Sequence, residues 1–160
     1  MRGFSEDGYI IDQNTLSDYP YHGTTSDVNG CGWVAAYNLL RALGQDPDFD
    51  SVRREMDAMF PLPFPGPTPM RKLRTYLARF LPLRYVPGQR QALPAAAQSK
   101  AGILRYWEGH TPHFITFIRR EDGRFRFLNV SGAQKDITAH MDVFFREHCR
   151  FGWIRVLVLL

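Results

Sequence analysis

From residue 31 onward, apolar residues recur at three- and four-residue spacing: Trp33, Val34, Tyr37, Leu40 and Leu43, stopping before Gly44. That period predicts a helix with one buried stripe, which Asp27 or Asn29 can cap and Gly44 can end. A second helix is expected over 50–60, capped by Asp50, with Val52, Met56 and Met59 or Phe60 turned inward. A third is expected over 70–80 on Met70, Leu73, Leu77 and Phe80. Between them, 61–69 carries five prolines in nine residues, so it reads as an extended surface connector inside one domain. Residues 1–28 are polar and turn-rich, an N-terminal arm with one short strand near 9–11.

Past residue 84 the pattern changes. Segments 84–86, 102–107, 113–118, 124–130 and 153–159 are short, rich in branched and aromatic residues and separated by turn signals, among them Glu121-Asp122-Gly123. They predict strands, with one more helix over 137–148 interrupting the series. Helices first and an antiparallel sheet afterwards is the α+β order, in a single domain spanning 1–160 and without internal repeats.

Composition narrows the function classes. A chain of 160 residues, 44% hydrophobic and 22% charged, buries about 70% of its unfolded surface and needs no disulfide or structural metal. The net charge is +4, and all but three of the twenty basic residues are arginines spread along the whole chain. Such spreading gives a basic surface without a focused nucleic-acid footprint. The N-terminus lacks a charged-then-apolar signal pattern, and the longest apolar run, 156–160, is far too short to cross a membrane. The expectation is a soluble, cytoplasmic protein with no membrane partner.

Two cysteines, Cys31 and Cys149, lie too far apart in sequence to suggest a disulfide framework or zinc knuckle. Cys31 is expected as the second or third residue of the first helix, between Gly30 and Gly32. Free backbone donors and partial positive charge at a helix start favour thiolate over thiol. The flanking glycines leave room for a substrate carbonyl, to which the Cys31 amide can donate. A small buried core cysteine would fit the same position. A thiolate nucleophile needs an imidazole and a group to orient it. His113 opens the strand His113-Phe114-Ile115-Thr116, with Phe114 and Thr116 on the opposite face, and Asn129 ends the next strand. A hairpin symmetric about residue 121 sets 113 opposite 129, where the Asn129 carboxamide oxygen could take the ring proton.

Other residues carry less. His110-x-x-His113 has no acidic or thiol partner at ligand spacing, so neither a metal nor a cofactor is expected. Cys149 reads as core and Arg119-Arg120 as a solvated hairpin end. Trp33, Trp107 and Trp153 read as core or cleft-wall aromatics, Trp107 being a candidate for a substrate groove. His22 has no placement from sequence.

The run Gly30-Cys31-Gly32-Trp33-Val34-Ala35-Ala36-Tyr37-Asn38-Leu39-Leu40, then His113-Phe114-Ile115-Thr116-Phe117 and Leu128-Asn129-Val130-Ser131-Gly132, resembles the papain-like cysteine peptidases of the bacteriocin-processing (double-glycine leader) type. The resemblance implies a papain-like fold and a peptide or protein substrate. It also implies Cys31 as nucleophile, His113 as base and acid, and Asn129 as the ring-orienting residue. It departs at one point: the family's oxyanion glutamine, six residues before the cysteine, is Thr25 here. Thr25, Asn29 or the distant Gln13 are the candidate substitutes. A binding module that has lost turnover and an acyl or peptidyl transferase using the same triad are the alternative readings.

Overall fold

The computed structural model describes residues 1–59, 65–149 and 153–160. The chain opens with a bridge between Phe4 and Ile10 and a 3-10 turn, Gln13–Thr15, whose cap Asp12 accepts from the Asn14 amide. The strand expected over 9–11 is reduced to that bridge at Ile10. A small hairpin follows, β1 (Pro20–Tyr21) and β2 (Thr24–Thr25), turning through His22 and Gly23. Both turn residues have positive φ, 49° and 77°, as a two-residue type I′ turn requires. Next come α1 (Ser26–Asn29), α2 (Cys31–Ala42), α3 (Phe49–Ala58) and α4 (Met70–Leu77). The rest is β3 (Arg84–Val86), α5 (Gln89–Gln98), β4 (Ala101–Glu108), β5 (Thr111–Arg119), β6 (Phe125–Leu128), β7 (Asp136–Ala139), α6 (Met141–His148) and β8 (Arg155–Leu159). The class is α+β, as the order of patterns predicts.

The helix ends obey local chemistry. At the end of α2, Gly44 takes φ +78°, its amide bonds Arg41 O and the Gln45 amide bonds Leu40 O. This is a Schellman closure at the glycine the sequence marks. α3 starts one residue earlier than expected and is capped two residues earlier, by Asp48, which accepts from the Ser51 amide, rather than by Asp50; Val52 and Met56 are buried as expected. Phe60 and the first part of the proline connector, 61–64, lie outside the described residues. α4 stops at Leu77, leaving Phe80 exposed.

A six-stranded sheet runs in the order β3-β8-β4-β5-β6-β7, antiparallel throughout, with the C-terminal β8 inserted between β3 and β4. Alternation along the strands divides the core in two. Ala101, Ile103, Phe114 and Leu157 face α2, while Leu104, Tyr106, Ile115, Phe117, Phe127 and Val156 face α5 and α6. On the second side Phe127 stacks on Phe144 with centroids 3.9 Å apart.

α2 has no solvent face: every residue from Cys31 to Leu40 is buried. The sheet covers one side, and Thr116 Oγ1 donates to Ala35 O at 2.9 Å across that contact. The N-terminal arm covers another. Asn38 accepts from the Ile10 amide and donates to Ile10 O, at 2.9 and 2.8 Å, and Tyr37 donates to Gly8 O. The arm is therefore part of the core, with Ile10, Leu16 and Tyr21 buried. Among the described residues no helix is long and apolar enough to cross a membrane.

Candidate functional site

Gly30 joins α1 to α2 with helical backbone angles, φ −79° and ψ −7°. The first bond of α2 is Val34 N to Gly30 O, so the amides of Cys31, Gly32 and Trp33 precede the intrahelical ladder. The glycines serve packing. A Cβ on Gly30 would collide with the Ser26 carbonyl, and one on Gly32 with the side chain of Thr68. They let α1 and the 65–69 segment close tightly around the helix start; they do not widen an approach to sulfur.

His113 lies on β5 beyond the end of β6, which pairs only as far as Leu128 with Thr116. Its ring therefore has no neighbouring strand on that side. Tyr106, its register partner on β4, meets it edge-on at 5.9 Å and 88°. The ring is close enough to Cys31 for the thiol to influence its pKa and, through Nε2, donates to the backbone carbonyl of Asn129 at 2.7 Å. A carbonyl can only accept, so Nε2 carries the proton and the neutral ring keeps its lone pair on Nδ1. Burial, the largest influence, pushes the His113 pKa down. The hydrogen bond and charge of Cys31, the charge of Glu108 and the Asn129 carbonyl together outweigh it, and the net shift is upward.

The orienting contact thus comes from the main chain of Asn129, not from its carboxamide as expected. The Asn129 side chain turns the other way. Its Oδ1 accepts from the Gln13 amide at 3.0 Å and its Nδ2 donates to Gln13 Oε1 at 2.8 Å. The register explains why. The hairpin closes on Arg120 and Arg124, with Gly123 at φ +82°, and is symmetric about residue 122, not 121. Residue 129 is thereby offset by two positions from 113. The chain leaves β6 through Asn129 at φ +64°, a left-handed conformation asparagine tolerates, and this turn aims its carbonyl at the ring.

Of the oxyanion candidates, Asn29 is buried and its Nδ2 donates to Thr24 Oγ1, while Thr25 precedes α1 without a side-chain cap bond. Gln13 Nε2 donates to Asp27 O. Residues that pattern reading passed over complete the surroundings: Tyr106 donates to Glu108 Oε1 at 2.7 Å, and Ser131 donates to Glu108 Oε2. Glu108 ends its strand within one turn of His110, and only its position opposite Thr111 gives a clue to that placement.

The remaining candidates scatter. Trp33 is core, donating from Nε1 to Ser26 Oγ, and Trp107 is half-buried. Trp153 is not a core residue; it is 68% exposed. Cys149 is buried, and burial pushes its thiol up to about 12. Among the described residues no group of three or more metal-ligating side chains comes together. His22 joins a buried cluster: its Nδ1 donates to Gly66 O, and Lys72 Nζ lies 2.6 Å from its Nε2. No protein-family model and no curated protein matches the sequence.

Proposed function

We propose that the protein is a cysteine hydrolase of papain-like fold, a peptidase in its simplest form, acting through Cys31, His113 and Asn129. The observation that carries this reading is the buried His113 ring, whose pKa the neighbouring Cys31 thiol helps to raise and whose Nε2 is held by the Asn129 carbonyl at 2.7 Å. His113 Nδ1 takes the thiol proton as sulfur attacks the carbonyl carbon of an amide or thioester. The Cys31 amide donates to the developing oxyanion. The imidazolium then protonates the leaving amine, and an acyl-enzyme remains. Water, losing a proton to His113, resolves it and regenerates the thiol. The raised His113 pKa supports the imidazolium that forms when the ring takes the thiol proton.

Only 4% of Cys31 and 9% of His113 is accessible, which favours a second reading, a binding module that retains the fold without turnover. Iodoacetamide at mildly acidic pH separates the two. Peptide mapping is expected to find carboxamidomethylation at Cys31, with Cys149 untouched because burial holds its thiol protonated. Hydrolysis of members of a peptide and ester panel, abolished in Cys31→Ala, is the matching activity result. An unmodified Cys31 in the folded protein overturns the hydrolase reading.

A further inference from the structure

Arg105 on β4 and Arg155 on β8 are register partners, so their side chains leave the sheet side by side on one face. It is the Cys31 face: Arg105 is also paired with Phe114, which packs in the same cluster as Cys31. Two like charges adjacent on a half-buried surface repel each other and lose hydration. Six other arginines answer their charge with a carboxylate: Arg41, Arg53, Arg54, Arg79, Arg124 and Arg126. Among the described residues Arg105 and Arg155 have no such partner. Arg155 Nη1 donates to Tyr85 OH at 2.7 Å, while Arg105 Nε is buried and, among the described residues, has no acceptor for its proton. The Arg105 guanidinium lies 5.9 Å from the Phe114 ring, and the next register pair along the two strands is Tyr106 with His113. Burial, then Arg155, lowers its pKa, and Tyr85 and Cys31 act the other way.

We propose that Arg105 and Arg155 form an anion subsite beside Cys31 that receives a substrate carboxylate close to the scissile carbonyl. A carboxylate would accept from the outer Nη groups of the two half-buried guanidiniums, and would relieve the repulsion between the two arginines. The carboxylate has two possible sources, a free peptide C-terminus or an Asp or Glu side chain. The inference rests on Cys31 being the reactive thiol, as proposed above.

Alkylation by iodoacetate and by iodoacetamide tests it without a known substrate, since the two reagents differ in a single carboxylate. In the wild-type chain at low salt, the iodoacetate-to-iodoacetamide rate ratio at Cys31 is expected to exceed that of 2-mercaptoethanol in the same buffer by about tenfold. It is expected to fall toward the small-thiol ratio in about 0.5 M salt, where exposed charges are screened. Arg105→Gln removes the preference and Arg155→Gln reduces it. The salt series on the unaltered chain keeps the test decisive if Arg105→Gln does not fold. Protection of Cys31 by short peptides bearing a free C-terminus, against amidated peptides carrying Asp or Glu, identifies the source. A Cys31 that alkylates at the small-thiol ratio at every salt concentration overturns the subsite and leaves the nucleophile standing. A Cys31 inert to both reagents overturns the subsite together with the hydrolase reading.

Discussion

Replacing Asn129 by glycine separates two ways of orienting His113. Glycine keeps the backbone carbonyl that receives Nε2 and adopts φ +64° freely, but it deletes both bonds to Gln13. Each lost buried bond costs about 1 kcal/mol, and stranding the Gln13 amide and Oε1 adds roughly as much again. Relief of left-handed strain, about 1 kcal/mol, offsets the glycine's larger unfolded-state entropy of about 0.5–1 kcal/mol. The net loss is about 4 kcal/mol, read from urea denaturation. Asn129→Ala removes the same side-chain contacts and keeps the strain, so it is expected to be less stable than the glycine variant. The second assay is the rate of Cys31 alkylation by iodoacetamide at pH 6, in the folded range. With the carbonyl retained, the glycine variant is expected to stay within about tenfold of wild type. A carboxamide that orients the ring would instead make the loss about a hundredfold or more, in line with triad-orienting residues elsewhere. A folded Asn129→Gly protein whose Cys31 reacts no faster than a free thiol would refute the main-chain account.

Three further outcomes test other parts of the structure. Gly32→Ala drives a methyl into Thr68, a buried side chain already hydrogen-bonded to Tyr21 OH at 2.9 Å, and is expected to cost about 1–3 kcal/mol by thermal denaturation; an unchanged midpoint contradicts the packing role of that glycine. Thr116→Val keeps shape but removes the donor to Ala35 O, whose helical partner remains, so the loss is expected to be about 1 kcal/mol, and no measurable loss denies the contact. The His22 pKa is lowered, first by burial and then by the Lys72 charge, so the unfolded chain binds a proton near pH 6.5 that the folded one resists. Its contribution is full above about pH 6.5 and lost as pH falls below it. The wild-type-minus-His22→Gln stability difference should therefore shrink on acidification. The difference is needed because His113, with a raised pKa, contributes oppositely: its stabilisation is present below about pH 6.5 and lost as pH rises through its folded value.

What pattern reading recovered and what it missed follow from the range of the forces involved. Period and punctuation located α2, its glycine stop and the inward residues of α3, because those depend on neighbours a turn away. The α5 helix is not legible in the pattern: Gln89–Gln98 has weak apolar contrast and Pro94 in its interior, and packing on β8 and α6 supports it as a helix. β7 occupies the start of the stretch where the pattern predicts a helix, 137–148, since four residues pairing with β6 are too few to set a period. The burial of α2 on all sides could not be read either, because the arm that covers it is held by Asn38 and Tyr37 through main-chain groups of residues 8 and 10.

The candidate site makes the same distinction at the level of single atoms. Residue types were enough to nominate Cys31, His113 and Asn129, since a thiol at a helix start and an imidazole at a strand start are visible as letters. Which atom of Asn129 meets the ring was not visible, because every residue carries a carbonyl. The choice is made by where the hairpin closes, by φ +64° at Asn129, and by a side-chain lock to Gln13, 116 residues away. The asparagine matters in this arrangement because it tolerates the left-handed turn and fastens it to the N-terminal arm. Glycine could supply the turn and lacks the lock; alanine supplies neither.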